Sequence, residues 1–412
     1  MLTDATAIRT GTRSRAVGAV TGIAERYGLL IVVLAAYAAA LLLTVNGIAP
    51  DTWLAVVAGG EVAHGLPTVD HLTVMADGAR WVDQQWFGQL VFYRAYTAGG
   101  LLLVVLTGAG FAFVAVVAAA ASALRRGADM RASVWVAAAA LIPYVLPAEV
   151  PRTQSLAYPL FVAVVWLLLA DNARPSRGVL LTLPLLAVWA NVHGSVLIAV
   201  AVVALHGLAT LRRRRAVGGA LVVGSLLSVF ASPYATGLPH YYRSTIFNPS
   251  FKVLSEWAPT TLTLETLPLF ALLLGAAYLY GRASRLFTST EVIVLVVTAG
   301  AALHAVRFTV WFALSALMIL PRPLTYVLGS QLPPLRLNRL CGQLGITALF
   351  GLLVLTTVRG VAGYPSSASA AVATAAGDTV DVFASSRYGD WLLVAEPSLR
   401  GRVAYDSRVE LL

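Results

Sequence analysis

Charged residues and cysteine are both scarce in this sequence. Only 12% of its 412 residues are charged, which is about half the share usual in soluble domains. Hydrophobic residues make up 58%, and the mean hydropathy is +0.79. These values exclude a soluble globular domain and indicate a polytopic membrane protein. Because Cys341 is the sole cysteine, a disulfide framework and a thiolate metal site are also excluded.

Several common functional signatures are missing as well. No glycine-rich nucleotide-binding loop of either common kind occurs, which favours a lipid-linked substrate over a nucleotide sugar or ATP. There is no internal repeat and no charge in the middle of an apolar span, and both are typical of transporters. The net charge of +10 comes from short basic clusters between apolar spans. Membrane topology explains such clusters better than nucleic-acid binding does, so no nucleic-acid partner is expected.

The apolar segments predict an all-α integral membrane fold with about eleven transmembrane helices. Residues 1–26 carry four arginines, and no small-residue cleavage site follows the first apolar run. An uncleaved first helix behind a cytoplasmic N-terminal segment is therefore expected. The transmembrane domain covers 27–358, with spans near 27–47, 99–124, 132–147, 156–170, 178–192, 194–211, 216–231, 266–281, 288–305, 307–321 and 342–358.

The distribution of charge predicts the orientation. With a cytoplasmic N-terminus, the inner segments hold 18 of the 29 basic residues and 5 of the 19 acidic ones, which leaves +13 inside and −3 outside. This asymmetry follows the positive-inside rule. The polar segments then lie on the outer face, as a first external loop at 51–98, a second at 232–265 and an extracytoplasmic C-terminal segment at 359–412.

Local signals predict the structure of the first external loop. Pro50-Asp51 before an apolar run is typical of a helix N-cap, and that helix is expected to lie along the membrane interface. Alternation over residues 71–82 around Asp77-Gly78 predicts a small hairpin. Asp83 then caps a second interfacial, amphipathic helix, and Asp70 is interpreted as a turn residue.

The C-terminal segment has a different composition. Residues 362–377 are small and polar, like a linker, whereas 378–412 alternate in short strand-like runs such as 391–394 and 402–405. This pattern predicts a small α/β or β unit outside the membrane. The abrupt end at Leu412 raises the expectation of a truncated or unusually short chain.

Two acidic residues of the first loop have alternative interpretations. Asp51 follows the first span at the membrane boundary, where a carboxylate could act as a general base toward an acceptor hydroxyl. A role as helix cap explains it equally well, and the two roles are compatible. Asp83 has the same ambiguity, with the capping role favoured.

Arg152, His193 and Arg307 form a second constellation, each at the outer end of a span. Charge at a bilayer edge is costly unless paired and so marks a functional site by default. Arginine also matches phosphate oxygens in a fork geometry, which suits a lipid phosphate headgroup. The alternative is that the arginines snorkel to the interface and that His193 is a packing residue.

Glu256-Trp257 in the second external loop is the third candidate. It supplies either a second carboxylate or only an interfacial anchor, and the sequence leaves both open. Several carboxylates facing one cavity could hold a divalent cation, although no spacing here is diagnostic of a metal site.

Motifs along most of the chain, in order, resemble those of bacterial GT-C-type membrane glycosyltransferase-like proteins. In the first external loop they are Asp51-Thr52-Trp53, Gly60-Glu61, Gly65-Leu66-Pro67, Asp70, Asp77-Gly78 and the cluster Trp81 to Trp86. The later ones are Arg152-Thr153-Gln154, Trp189 to Gly194, Ser232-Pro233-Tyr234, Glu256-Trp257, Ala305 to Phe308 and Asp406-Ser407-Arg408.

This resemblance implies a many-helix GT-C-like fold in the plasma (inner) membrane of a bacterium. It implies a polyprenyl-phosphate-linked sugar as donor and a glycan, lipid or protein acceptor on the outer face. Asp51 matches the acidic catalytic residue of the family. The donor-binding residues would be Asp83, Gln85, Trp86, Arg152, His193, Glu256, Trp257 and Arg307.

The chain departs from the family pattern at one point. Where relatives often carry His-Glu before the tryptophan, this sequence has Gln84-Gln85, which puts an acid, base or metal-binding role there in doubt. The leading hypothesis is a lipid-carrier-dependent sugar transferase. The competing class is a non-catalytic polytopic protein, either a transporter for a lipid-linked glycan or an assembly partner in envelope synthesis.

The charge asymmetry gives a testable topology. A single cysteine placed at Ala63, in a Cys341→Ser background, should react with an impermeant maleimide added to intact cells. One placed at Ala216, beside the Arg212–Arg215 run, should react only after permeabilisation. Labelling of the Ala216 position from outside intact cells would contradict the orientation.

Overall fold

In the computed structural model, the described residues are 27–42, 48, 50–148, 151–246, 256–329, 331, 338–359 and 364–408. The predicted N-terminal segment 1–26, residues 247–255 of the second external loop, and residues 360–363 and 409–412 of the C-terminal segment lie outside them. Within the described part the chain is helical, and β-structure is limited to isolated bridges. The helices are α1 Tyr27–Leu42, α2 Pro50–His64, α3 Trp86–Arg125, α4 Met130–Ala148, α5 Thr153–Ala173, α6 Thr182–Ala190, α7 Val196–Leu211, α8 Arg215–Ser228, α9 Leu238–Ile246, α10 Leu267–Ala283, α11 Ser289–His304, α12 Thr309–Ile319, α13 Pro321–Leu328, α14 Asn338–Arg359, α15 Ser366–Ala376 and α16 Ser386–Ala395.

The all-helical membrane architecture agrees with the prediction, but the count of eleven spans is not confirmed. Five helices among the described residues are long and apolar enough to cross a membrane, and a sixth span results if α12 and α13, bent by 51°, are counted together. Each of the other predicted spans coincides with a helix of 10–17 residues, if α6 is counted together with the 3₁₀ turn Arg177–Leu181 before it. At 1.5 Å per residue such a helix reaches at most about 26 Å, short of a hydrocarbon core about 30 Å thick.

The main hydrophobic core is built around α12, all eleven residues of which are buried. A helix that is apolar on every side is typical of the centre of a bundle. Trp311 of α12 packs against Tyr158, Phe161 and Trp189 with ring centroids 5.2–5.3 Å apart. This aromatic cluster fixes α5, α6 and α12 to one another, just below the ends that carry the polar residues discussed next.

Helix α3 joins two predicted elements into one. Its first part corresponds to the second helix of the external loop, and its second part to the span predicted to begin at residue 99. The break lies at Gly99 and Gly100, where Gly100 has a φ of 61°. A residue with a Cβ adopts that conformation only at a steric cost, so glycine permits the change of direction.

Helix α2 is not the surface helix that the sequence suggested. Ten of its fifteen residues are buried. A Cβ added to Gly59 would lie 2.2 Å from the Gln89 carbonyl oxygen of α3, so the helices approach at van der Waals distance through this glycine. The helix begins at Pro50, which places Asp51 in the first turn rather than at the N-cap. A carboxylate there still interacts favourably with the helix dipole.

The C-terminal segment covers the other side of α2. Trp391 and Leu393 of α16 share a small hydrophobic core with Trp53 and Trp81 of the first loop. The strand predicted at 391–394 is therefore wrong, because these residues belong to α16. A four-residue apolar run suits a buried helix face as well as a strand, and periodicity alone does not separate the two.

The hairpin predicted at 71–82 is reduced to a turn with one antiparallel bridge between Val69 and Arg80. Gly78 has the expected positive φ, at 74°. Two amides near the middle of this loop pair with the C-terminal segment instead. The Val74 and Met75 amides donate to the carbonyls of Val403 and Ala404 at 2.9 and 3.0 Å.

Candidate functional site

A cavity of about 1080 Å³ opens where the first loop, the C-terminal segment and the ends of several helices meet. Seven of the nine predicted site residues line it, although they are spread over more than 250 positions of the sequence. These are Asp51, Gln85, Arg152, His193, Glu256, Trp257 and Arg307.

Asp51, Arg152, Glu256 and Arg307 form a charged wall on one side of the cavity. Glu256 is the central group of this wall. Its Oε2 accepts from Nη1 of Arg152, and its Oε1 lies 3.4 Å from Nη1 of Arg307. Arg152 Nε lies in turn 3.3 Å from Asp51 Oδ2. The two arginine side chains are 20% and 11% exposed, so neither one snorkels to the surface. Two cations and two anions alternate along this wall.

The local backbone positions this network. Arg307 is part of a short 3₁₀ turn, Val306–Phe308, and its amide donates to the Glu256 carbonyl at 3.2 Å. Its guanidinium lies 4.3 Å from the Trp257 ring centroid. The indole therefore adds a cation–π contact, which is stronger in a desolvated place. Trp257 thus contributes to holding the arginine in the cavity.

The ionic state of the wall follows from these contacts. Burial raises the pKa of Glu256, but the charges of Arg307 and Arg152 outweigh it and hold that pKa below its ordinary value. Burial disfavours the charged form of Arg152, whereas Asp51 and Glu256 raise its pKa above the ordinary value. Glu256 is therefore an ionised carboxylate with both oxygens engaged, and it is poorly suited to accept a substrate proton.

His193 is a neutral hydrogen-bond donor in this site. Burial, followed by the charges of Arg307 and Arg152, lowers its pKa well below the ordinary value. The Ser195 amide donates to its Nδ1 at 3.1 Å. Since a backbone N–H only donates, Nδ1 is the acceptor and Nε2 carries the proton. The imidazole can donate that proton to a ligand oxygen.

The side chains of Gln84 and Gln85 connect the end of the first loop to α6 and α5. Gln84 Nε2 donates to the Ala190 carbonyl at 2.6 Å, and Gln85 Oε1 accepts from the Thr153 hydroxyl. Gly88 makes this junction possible, because a Cβ there would meet the Val192 carbonyl oxygen at 2.9 Å.

Asp83 and Trp86 do not line the cavity. Trp86 Nε1 donates to Asn191 Oδ1 at 2.7 Å, which ties α3 to the turn after α6. Asp83 is buried, and the prediction that it caps α3 is wrong, because the N-cap residue is Gln85. The polar, Trp-rich first loop does contribute residues to the cavity wall. Its sequence pattern did not show which of its residues line the cavity and which pack against neighbouring helices.

Sequence reasoning underestimated the contribution of residues 405–408, which form another part of the wall. Arg408 Nη2 lies 2.6 Å from Asp70 Oδ1, and its Nε donates to Asp406 Oδ2 at 2.8 Å. Asp70 flanks the turn as predicted, since its amide donates to the Ala79 carbonyl at 2.8 Å, but it is also completely buried. The motif Asp406-Ser407-Arg408 was visible in the sequence, but its distance from the first loop concealed this pairing.

Several side chains that line the cavity carry buried polar atoms without a hydrogen-bond partner in the described part of the chain. Such atoms cost free energy when left unsatisfied and call for an explanation, such as a ligand. They are Gln84 Oε1, Gln89 Oε1, Tyr242 Oη, Arg307 Nε, Ser407 Oγ and Arg408 Nη1.

The cavity continues from this polar end into an apolar one. The walls of the apolar part come from α7, from α8 and the residues just after it, and from α11. The apolar side chains of these segments offer no hydrogen bonds to a ligand. The lining residues of this part include Leu197, Ile198, Val200, Ala201, Leu226, Val229, Phe230 and Val297. The arrangement fits an amphiphile with a polar head and a hydrocarbon tail.

A metal ion has no evident place among the described residues. They contain no group of three or more His, Cys, Asp or Glu side chains arranged to hold one, and the carboxylates of Asp51 and Glu256 face arginines instead.

Neither a scan of family models nor a search of curated proteins finds a match for this chain. The resemblance to GT-C-type proteins therefore stays a prediction from the sequence motifs.

The buried carboxyl of Asp390 in α16 gives a prediction about pH. Burial, and next the charge of Asp406, raise its pKa well above the ordinary value. Its stabilising contribution is complete at low pH and is lost as the pH rises through the folded-state pKa. Asp390→Asn should therefore flatten the fall in melting temperature as the pH rises above about 3.9, the ordinary pKa of an aspartate. Asp378→Asn, at an exposed position of the same segment, should follow the parent, and identical pH profiles for all three proteins would contradict the assignment.

Proposed function

We propose that this protein is a GT-C-type membrane glycosyltransferase, which moves a sugar from a polyprenyl-phosphate-linked donor to an acceptor on the outer face. The two-ended cavity carries this proposal: an apolar part suits an isoprenoid chain, and the polar end next to it holds two arginines and two carboxylates. Placement in a bacterial plasma membrane, with eleven spans, a cytoplasmic N-terminus and an extracytoplasmic C-terminus, belongs to the same proposal.

In this proposal the donor phosphate binds between Arg307, Arg152 and His193. Arg307 Nε lacks a partner, and the Nε2–H of His193 can donate to a phosphate oxygen. The Tyr242 hydroxyl, also without a partner, adds a fourth donor. Glu256 keeps both arginines in place and balances their charge before the donor arrives. Charge-assisted hydrogen bonds from arginine to phosphate are among the stronger polar contacts in proteins.

Asp51 serves as the base. Its side chain is 41% exposed and has one arginine partner, whereas Glu256 is 30% exposed and has two. Asp51 is therefore the more accessible carboxylate for an acceptor hydroxyl. It takes the hydroxyl proton while the acceptor oxygen bonds to the anomeric carbon. The bond from that carbon to the phosphate oxygen breaks, and Arg152 and Arg307 stabilise the charge that stays on the departing lipid phosphate.

One observation favours the second candidate, a protein that binds lipid-linked glycans without catalysis. Gln84 and Gln85 stand where relatives often have His-Glu, and the amides of both residues make packing contacts. A binding protein would use the same amphiphilic cavity and the same arginines. It would not need the carboxylate of Asp51, so a change at that residue separates the two candidates.

For Asp51 we expect Asp51→Asn to reduce transfer of a radiolabelled sugar from a polyprenyl-phosphate donor by about 100- to 10,000-fold. Asparagine keeps the size and polarity of the side chain, so donor binding and melting temperature should change little. Asp77→Asn, at an exposed position of the same loop, is the matched control. Full transfer activity in Asp51→Asn would remove this residue from the mechanism and overturn its assignment as the base.

For Arg307 we expect Arg307→Ala to weaken binding of polyprenyl phosphate by roughly ten- to a hundredfold, because a charge-assisted contact is lost. Arg307→Lys should recover part of the affinity, since the charge remains while the fork geometry is lost. Arg94→Ala, an exposed position on α3, controls for loss of surface charge. Parent-like affinity in Arg307→Ala would show that the phosphate binds elsewhere.

A further inference from the structure

We propose that residues 405–408 form a subsite of the same cavity that binds the hydroxyl groups of an uncharged sugar; this inference rests on the proposed function. Tyr405, Asp406, Ser407 and Arg408 all line the cavity. They are held there by two parallel bridges from Val403 to Thr73 and Val382. The segment therefore belongs to the wall of the site and is not an appendage to the membrane domain.

The charged groups of this subsite are already paired within the protein. The guanidinium of Arg408 pairs with both Asp70 and Asp406, and its carbon lies 4.3 Å from the Trp81 ring centroid. One cation thus faces two carboxylates, and all three side chains are at most 5% exposed. A further anion would meet net negative charge here, in contrast to the arginine pair at Glu256. The ligand favoured at this end is uncharged.

Hydrogen-bonding capacity nevertheless remains at this end. Three buried polar atoms are without a partner within the described residues: Ser407 Oγ, Arg408 Nη1 and Asp390 Oδ2. The Ser407 amide donates to Asp390 Oδ1 at 3.2 Å, which brings the serine and this carboxyl together. A hydroxyl and a guanidinium N–H beside a carboxyl group offer donors and an acceptor at close range. Sugar hydroxyls both donate and accept, so they match this mixture.

Asp51 lies between the two ends of the polar part. It pairs with Arg152 on one side, at 3.3 Å, and acts electrostatically on the Asp390 carboxyl on the other. A donor with its phosphate at Arg307 and its hexose hydroxyls at Ser407 would have its anomeric carbon between these groups. That position is the one the proposed base must reach.

The experiment compares binding of three lipids to the full-length protein in detergent: polyprenyl phosphate, the same lipid carrying a neutral hexose, and the same lipid carrying a uronic acid. The parent should bind the hexose lipid more tightly than the bare phosphate and gain nothing from the uronic acid. Ser407→Ala should weaken binding of the hexose lipid by roughly three- to tenfold, as for one lost hydrogen bond, and leave the bare lipid unaffected.

Two further variants make the result specific. Ser407→Thr keeps the hydroxyl and should retain the gain from the hexose, whereas Ser398→Ala, at an exposed position of the same segment, should match the parent. Equal losses for both lipids in Ser407→Ala, or no loss for either, would overturn the subsite. A parent that binds the bare phosphate but gains nothing from the hexose would overturn the subsite alone, while a parent that binds none of the lipids would count against the proposed function as well.

Discussion

The bridge that Glu256 makes between Arg152 and Arg307 is the interaction on which the site depends. Two desolvated guanidiniums side by side would repel each other strongly, and a shared carboxylate turns this repulsion into attraction. The three residues come from loops before α5, before α10 and before α12, so the bridge also sets the distance between these helices at one end of the bundle. The same end of the bundle carries the cavity.

The second organising contact is the packing of the C-terminal segment on the first loop. Together the two parts enclose Trp53, Trp81 and Trp391. The Arg400–Glu61 pair at 3.0 Å and the Arg408–Asp70 pair at 2.6 Å join the same two parts. The buried pair contributes specificity more than net stability, because desolvation offsets much of its attraction.

Helical segments and the charged residues around Glu256 could be predicted from the sequence, because apolar runs and isolated charges at their ends are local signals. The lengths of the helices could not, since the predicted span 288–305 forms a helix of only 16 residues, and neighbouring elements help to set where a helix ends. The helical state of 391–394 and the burial of Asp70 were also beyond reach. Both depend on contacts between residues more than 300 positions apart, for which a single sequence gives no signal.

The shared core of the first loop and the C-terminal segment has a consequence for synthesis. The ribosome makes α2 roughly 300 residues before α16, which at 5–20 residues per second is a delay of about 15 to 60 s. During that time one side of α2, including Trp53, lacks the cover that α16 gives it in the folded protein. The apolar side of α2 is therefore open to non-native contacts until its late partner has been made.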